Sequence, residues 1–129
     1  MDLAALTSLL EAAPQVQAAW LFGSRARGDE RRDSDVDIGI LLGKHPRGLQ
    51  DLCFGLQDEL TARLGLPVQL TILDTAPVDL VRRVFREGRL IHERDRAARI
   101  AFQIRRRNEY WDFAPTLART RRLPPGMEP

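Results

Sequence analysis

The chain has almost none of the residues from which redox-linked or zinc-held sites are built. Of its 129 residues, one is cysteine and two are histidine. Cys53 alone can form no disulfide within the chain, so a reducing cytosol is the compartment to expect, with the thiol packed in the core. His45, between Lys44 and Pro46, and His92 have no second His or Cys at ligand spacing, so both read as structural rather than as a zinc site. No apolar run approaches the roughly 20 residues needed to cross a bilayer. The Leu/Ala-rich opening MDLAALTSLLEAAPQV carries Asp2 and Glu11 with no basic residue ahead of them, which is not the charge layout of a secretory signal. Internal repeats and long low-complexity segments are absent too. A length of 129 residues with 43% hydrophobic side chains suits one folding unit with a modest core.

Charge is plentiful but unevenly placed. The net formal charge is only +2, yet residues 96–129 hold eight arginines against Glu109, Asp112 and Glu128. A basic segment of this kind faces nucleic acid, an acidic partner or solvent. The expected organisation is a domain over residues 1–115 followed by a flexible basic tail over 116–129. Tyr110, Trp111 and Phe113 beside Arg105 to Arg107 fit an interface anchor, because aromatics and arginine are enriched at binding hot spots; core packing of Trp111 competes with that reading.

Hydrophobic spacing gives the elements. Leu3, Leu6, Leu9, Leu10 and Ala13 after Asp2, a plausible N-cap, predict a helix closed by Pro14. Val16 to Phe22 is a short apolar run ended by Gly23, hence a buried strand. Arg25 to Arg32 is too polar for the core and reads as a loop or one exposed helical turn. Val36, Ile38, Ile40 and Leu42 alternate with Asp35, Asp37 and Gly39, the mark of a strand with two different faces. Leu49 to Leu64 predicts a helix, Val68 to Leu73 a strand, Val78 to Phe85 a short helix closed by Gly88, and Arg89 to His92 an edge strand. Asp95 offers an N-cap to a longer helix with Ala97, Ile100, Ile104 and Trp111 on its apolar face. The order predicts a small mixed sheet covered by helices, an α/β or α+β domain. Gly39, inside its strand, allows close approach of a ligand or of neighbouring backbone.

Chemistry concentrates in WLFGSRARGDERRDSDVDIGI, residues 20–40. Asp35 and Asp37, two apart on a strand, point to the same face. Two adjacent anions repel unless a cation or proton lies between them, and hard divalent ions such as Mg²⁺ are held by one or two carboxylates together with substrate phosphates. A D-x-D on its own is more often an exposed solvent-facing pair. Here, however, Gly23-Ser24 ends the preceding strand, where a glycine lets backbone come close to a ligand and free N–H groups receive phosphate. Arg25 and Arg27 follow. A hairpin would bring the chain back after the ten residues between Ser24 and Asp35, setting the phosphate cradle beside the carboxylates. A nucleoside triphosphate with Mg²⁺ fits both halves.

The pattern Gly23-Ser24, ten residues, Asp35-Val36-Asp37 resembles the signature of nucleotidyltransferases of the DNA polymerase beta superfamily. The fuller GSRARGDERRDSDVDIGI is similar to the minimal nucleotidyltransferases, antitoxins of HEPN-domain toxin pairs. Thr75-Ala-Pro77, Arg86-Glu-Gly88-Arg-Leu and Glu109 to Pro115 resemble the family's later landmarks, so the likeness covers nearly the whole chain. It implies the polymerase beta-like fold, two Mg²⁺ ions on Asp35 and Asp37, and ATP as substrate with its triphosphate seated on Gly23 and Ser24. Arg27, and after it Arg25, would add charge against the phosphates. The implied reaction is transfer of AMP to a hydroxyl of the partner toxin, a tyrosine in the first instance, in the cytoplasm.

One position departs from the family. It usually carries a third carboxylate on the next core strand, where this chain has Gln69, which is uncharged and takes no proton at neutral pH. Asp74 lies five residues further along, an odd offset that puts it on the opposite face. Catalysis with two carboxylates, catalysis completed by a partner's side chain, and nucleotide binding with little turnover all follow as expectations. Two other readings stand beside the enzyme: an inactive antitoxin that neutralises its toxin by binding, favoured by Gln69, and transfer onto RNA or a small molecule, motivated by the basic tail.

Overall fold

A computed structural model describes residues 1–28, 34–43 and 49–120, with side chains at 49, 50 and 111–120 left aside. The chain runs α1 (Leu3–Glu11), β1 (Ala18–Phe22), α2 (Ser24–Arg27), β2 (Val36–Leu41), α3 (Leu49–Leu64), β3 (Val68–Ile72), α4 (Val78–Glu87), β4 (Arg89–Glu93) and α5 (Arg96–Thr120). The four strands form one mixed sheet in the order β3-β2-β1-β4. β1 is antiparallel to β2 and to β4, whereas β2 and β3 are parallel. A parallel pair needs a long crossover, and α3 supplies it. This is the expected α+β architecture. No described helix is long and apolar enough to cross a membrane.

The strands alternate, so each face of the sheet buries a separate core. On one face Ala19, Leu21, Ile38, Ile40, Leu70 and Ile72 pack against Leu6 and Leu10 of α1 and Cys53, Leu56 and Leu60 of α3. On the other, Ala18, Trp20, Phe22 and Leu41 meet Val81 and Val84 of α4 and Phe102 of α5. Trp20, Phe85 and Phe102 form an aromatic chain there, with centroid separations of 5.5 and 5.8 Å. Both predicted caps are present: Asp2 accepts from the Ala5 N–H at 3.0 Å, and Asp95 from that of Ala98 at 3.0 Å. Gly88 lets α4 turn directly into β4, because a Cβ there would lie 2.4 Å from the Val84 carbonyl oxygen.

One expectation is corrected. Gly39 leaves room for neither a ligand nor backbone: a Cβ there would come within 2.9 Å of the Leu73 side chain, which fills that space. The apolar stripe of α5 turns toward solvent. Ile100 and Ile104 are 39% and 46% exposed and Ala97 is exposed, while Phe102 is 2% exposed. Residues two apart on a helix diverge by about 200°, so burying Phe102 against Phe85 turns Ile100 and Ile104 outward. Trp111 lies where no side chain is described. The helix itself continues through position 115, where the domain boundary was expected, to Thr120; residues 121–129 and His45 lie outside the described residues.

Candidate active site

β1 and β2 pair so that Phe22 stands opposite Asp37. Gly23, the next residue, has φ 76° and ψ −156°, a region essentially confined to glycine that costs other residues about 1–3 kcal/mol. Space forbids a side chain as well: a Cβ on Gly23 would sit 2.3 Å from Oδ2 of Asp37. The glycine of the turn and the second aspartate of the couplet are therefore in contact through the glycine's missing methyl group. Ser24 opens α2, a single turn in which the Ala26 and Arg27 N–H groups donate to the Gly23 carbonyl at 3.1 and 3.2 Å and Gly28 closes the end at φ 80°.

Asp35 is exposed just ahead of β2, where the Val36 N–H donates to the Pro67 carbonyl at 2.8 Å and keeps the backbone extended. Asp37 is half-buried on the face shared with Trp20 and Phe22, at the end of the sheet. Burial pushes the Asp37 carboxyl above its ordinary value of 3.8, and the negative charge of Asp35 pushes it the same way; Arg83 and Arg27 pull it back. The couplet is thus an electrostatic cost held in place by the fold, opposed by two guanidinium groups.

Those arginines differ in what the sequence disclosed. Arg27 is 47% exposed and its Nη1 lies 3.7 Å from Glu87 at the end of α4. Arg25, its equal in sequence, is held by the loop instead: its Nε and Nη2 donate to the Ser34 carbonyl at 3.2 and 2.9 Å, bracing the segment between α2 and β2. Arg83 went unnoticed in the sequence. It stands one turn before Glu87 on α4, a position that acquires meaning only once α4 packs against β1.

Gln69 is the Cα partner of Asp37 on the parallel strand β3 and is exposed. Partners across a ladder project to the same face, so its side chain leaves the sheet on the side of the carboxylate. Asp74 is at the other end of β2, where its two oxygens accept from the Leu42 and Gly43 N–H groups at 2.9 and 2.8 Å. It belongs to the structure of the strand end. Among the described residues no group of three or more His, Cys, Asp or Glu side chains converges. Cys53 is buried and burial pushes its thiol up. His92 is within β4. The arrangement brings Gly23, Ser24, Asp35, Asp37 and Arg27 to one corner of the sheet, with Arg83 and Gln69 beside them. Chemically it can hold a cation on the carboxylates and anionic oxygens on the turn and arginines.

Comparison with known proteins agrees with that chemistry. Residues 4–97 match the family model described as polymerase beta, nucleotidyltransferase. A chain from a toxin-antitoxin complex crystallised with AMP-PNP superposes with a TM-score of 0.76 at 24% identity, over 95% of this chain and 94% of that one. A chain from a complex of tri-AMPylated Shewanella oneidensis HEPN toxin with MNT antitoxin gives a TM-score of 0.69 at 21% identity, covering 93% and 89%. A protein provisionally described as a minimal nucleotidyltransferase is 32% identical, over 69% of this chain and 95% of its own, with a TM-score of 0.53. No curated protein sequence matches this chain.

Proposed function

This chain belongs to the polymerase beta nucleotidyltransferase family, and from that premise we propose that it is the antitoxin of a HEPN toxin pair, transferring AMP from ATP to a tyrosine hydroxyl of its partner in the cytoplasm. The observation that carries the reading is the fit of the Gly23 backbone against the Asp37 carboxylate, where a Cβ would lie 2.3 Å from Oδ2. That contact supports reading Asp37 and the Gly23-Ser24 turn as parts of one site. The AMP-PNP and tri-AMPylated toxin in the neighbouring complexes support the nucleotide and the product.

The residues fit Mg²⁺. Asp35 and Asp37 are close in sequence and like-charged, and burial together with the negative charge of Asp35 raises Asp37, which is the condition a divalent cation relieves. Bound there, two such ions would neutralise charge on the attacking and leaving oxygens. The chain's own contribution is positioning. Gly23 and Ser24 seat the triphosphate, Arg27 and Arg83 oppose its charge, and the walls of the corner orient the α-phosphorus toward the acceptor. The acceptor oxygen forms a bond to the α-phosphorus, the α–β bridging P–O bond breaks, and pyrophosphate leaves. Gln69 has no basic atom, so the acceptor's proton is given up to solvent water as the bond to phosphorus forms.

Gln69 at the register position opposite Asp37 favours a second reading, a binding antitoxin that silences its toxin without turnover. Incubating the purified protein with α-labelled ATP, Mg²⁺ and a HEPN-domain toxin from the same genome separates the two. Label on the HEPN protein, lost with Gly23→Ala, is the expected result; a stable, unlabelled complex would establish the binding antitoxin instead.

A further inference from the structure

Between α4 and α5 the surface opens into two adjoining cavities of about 350 and 450 Å³ that share Arg82, Arg86 and Tyr110. The floor is apolar, formed by Phe85 and Ile104 over the buried Val81, and the walls are arginine, with Asp79 at one end of the larger cavity. Arg106 is turned inward, donating to the Ala76 carbonyl and pairing with Glu109 at 3.0 Å. The others point to solvent. Arg82 lies over the Tyr110 ring, 4.3 Å from its centroid, and Arg86 reaches Glu87 only at 3.5 Å while exposed. Among the described residues, neither Arg82 nor Arg107 pairs with a carboxylate.

The groove and the candidate active site share a helix. Arg83 lines the larger cavity and stands one turn before Glu87, which pairs with Arg27 of the phosphate turn. A segment lying in the groove would therefore run along the helix that flanks the couplet.

We propose that the α4–α5 groove receives the acceptor-bearing segment of the partner protein, and that this segment is acidic, its carboxylates engaging Arg82, Arg86 and Arg107 over the apolar floor. The inference rests on the transfer reading above and names what that site accepts. Guanidinium forks pair with carboxylates bidentately, while Phe85 and Ile104 offer contact to a side chain rather than to a sugar-phosphate backbone. The groove is also short: the ten residues of α4 span about 15 Å, enough for a few residues of peptide. Its positive field would draw the acidic segment toward a corner whose own aspartates repel it, so docking and chemistry use separate charges.

The test uses a fluorescein-labelled glutamate–tyrosine copolymer, with a lysine–tyrosine copolymer as control, followed by anisotropy without ATP and then by label transfer from ATP. The wild-type protein is expected to bind the acidic copolymer and not the basic one. Arg82→Ala/Arg86→Ala/Arg107→Ala should weaken that binding by about tenfold or more, as three exposed ion pairs of up to about 1 kcal/mol each predict. Arg63→Ala/Arg89→Ala/Arg96→Ala removes the same charge from elsewhere and should leave it within about twofold. Arg107→Glu, a single exposed change, gives the same direction should the triple variant unfold. Equal losses in both triple variants overturn the proposal, as does tighter, groove-dependent binding of a uridine RNA oligomer. Wild-type protein that binds the acidic copolymer through the groove but transfers no label to any acceptor counts against the enzyme and leaves the groove standing.

Discussion

The two ends of β2 each carry an aspartate, and the two are held in opposite ways. At the far end Asp74 reaches across from the turn after β3 and has both oxygens bonded to backbone N–H groups, those of Leu42 and Gly43. At the near end Asp37 is packed against the Cα of Gly23, faces a second carboxylate, and has its charged form disfavoured by burial. One carboxylate closes a strand; the other is kept charged at a cost. A buried or half-buried aspartate therefore says little by type. What distinguishes a structural from a functional one is whether the fold supplies donors for its oxygens or withholds them.

The sharpest way to break this contrast is to exchange the losses. Asp37→Asn should lower AMP transfer by about 10²–10³-fold, the range for deleting one preorganised electrostatic group, and leave the unfolding temperature unchanged or higher. Asp74→Ala should do the reverse. Two charge-assisted hydrogen bonds lost from a partly exposed site cost about 2–3 kcal/mol, several degrees of Tm, with transfer per folded molecule intact. Thermal unfolding and label transfer on both variants check it; an Asp74→Ala protein that folds normally and loses transfer would put both aspartates in the site.

A smaller effect is expected from restoring charge beside Asp37. Gln69→Glu places a third carboxylate at its register partner, and Mg²⁺ or Mn²⁺ affinity measured by calorimetry should rise about tenfold, equivalent to about 1.4 kcal/mol. Unchanged affinity would show that position 69 points away from the cation, and that the two carboxylates work alone.

Much of this was legible before any coordinates. The Gly-Ser turn marked the antiparallel return of β2 on β1, and the Asp-x-Asp stood where that strand begins, with Asp35 just ahead of it and Asp37 within it; Asp74 was kept apart by an odd offset, whereas the structure separates it by the length of the strand. The family signature named the same corner. What the chain did not disclose depends on contacts between distant segments. Arg25 and Arg27 look alike in sequence, yet Ser34 takes one of them. Arg83 is an ordinary exposed helical arginine until α4 settles on β1. The spacing puts Ala97, Ile100 and Ile104 on one face of α5 but does not say which way that face turns; Phe102 meeting Phe85 decides it, since fully burying one large side chain contributes about 1.5–3 kcal/mol and the helix can present only one of the two faces. Gly39 read as an opening for a ligand, and it is filled by Leu73 from the strand next door.

The smallest predicted effect follows from the direction of the Asp37 shift. An acid whose folded pKa lies above its unfolded 3.8 binds its proton more tightly in the folded state. Its contribution to stability is therefore complete below pH 3.8 and is lost as pH rises through the folded value. Asp37→Asn cannot ionise and escapes that loss. In metal-free buffer the Tm of the variant minus that of wild type should be smallest near pH 3.8 and grow toward neutrality, then level off. Asp35→Asn should leave part of the trend in place, because burial, the larger cause, acts without it. Adding Mg²⁺ to the wild-type protein should narrow the gap at neutral pH and leave the Asn variant unmoved. A gap that widens toward acid would reverse the sign, making Asp37 a satisfied carboxylate like Asp74 and removing the distinction between the two ends of the strand.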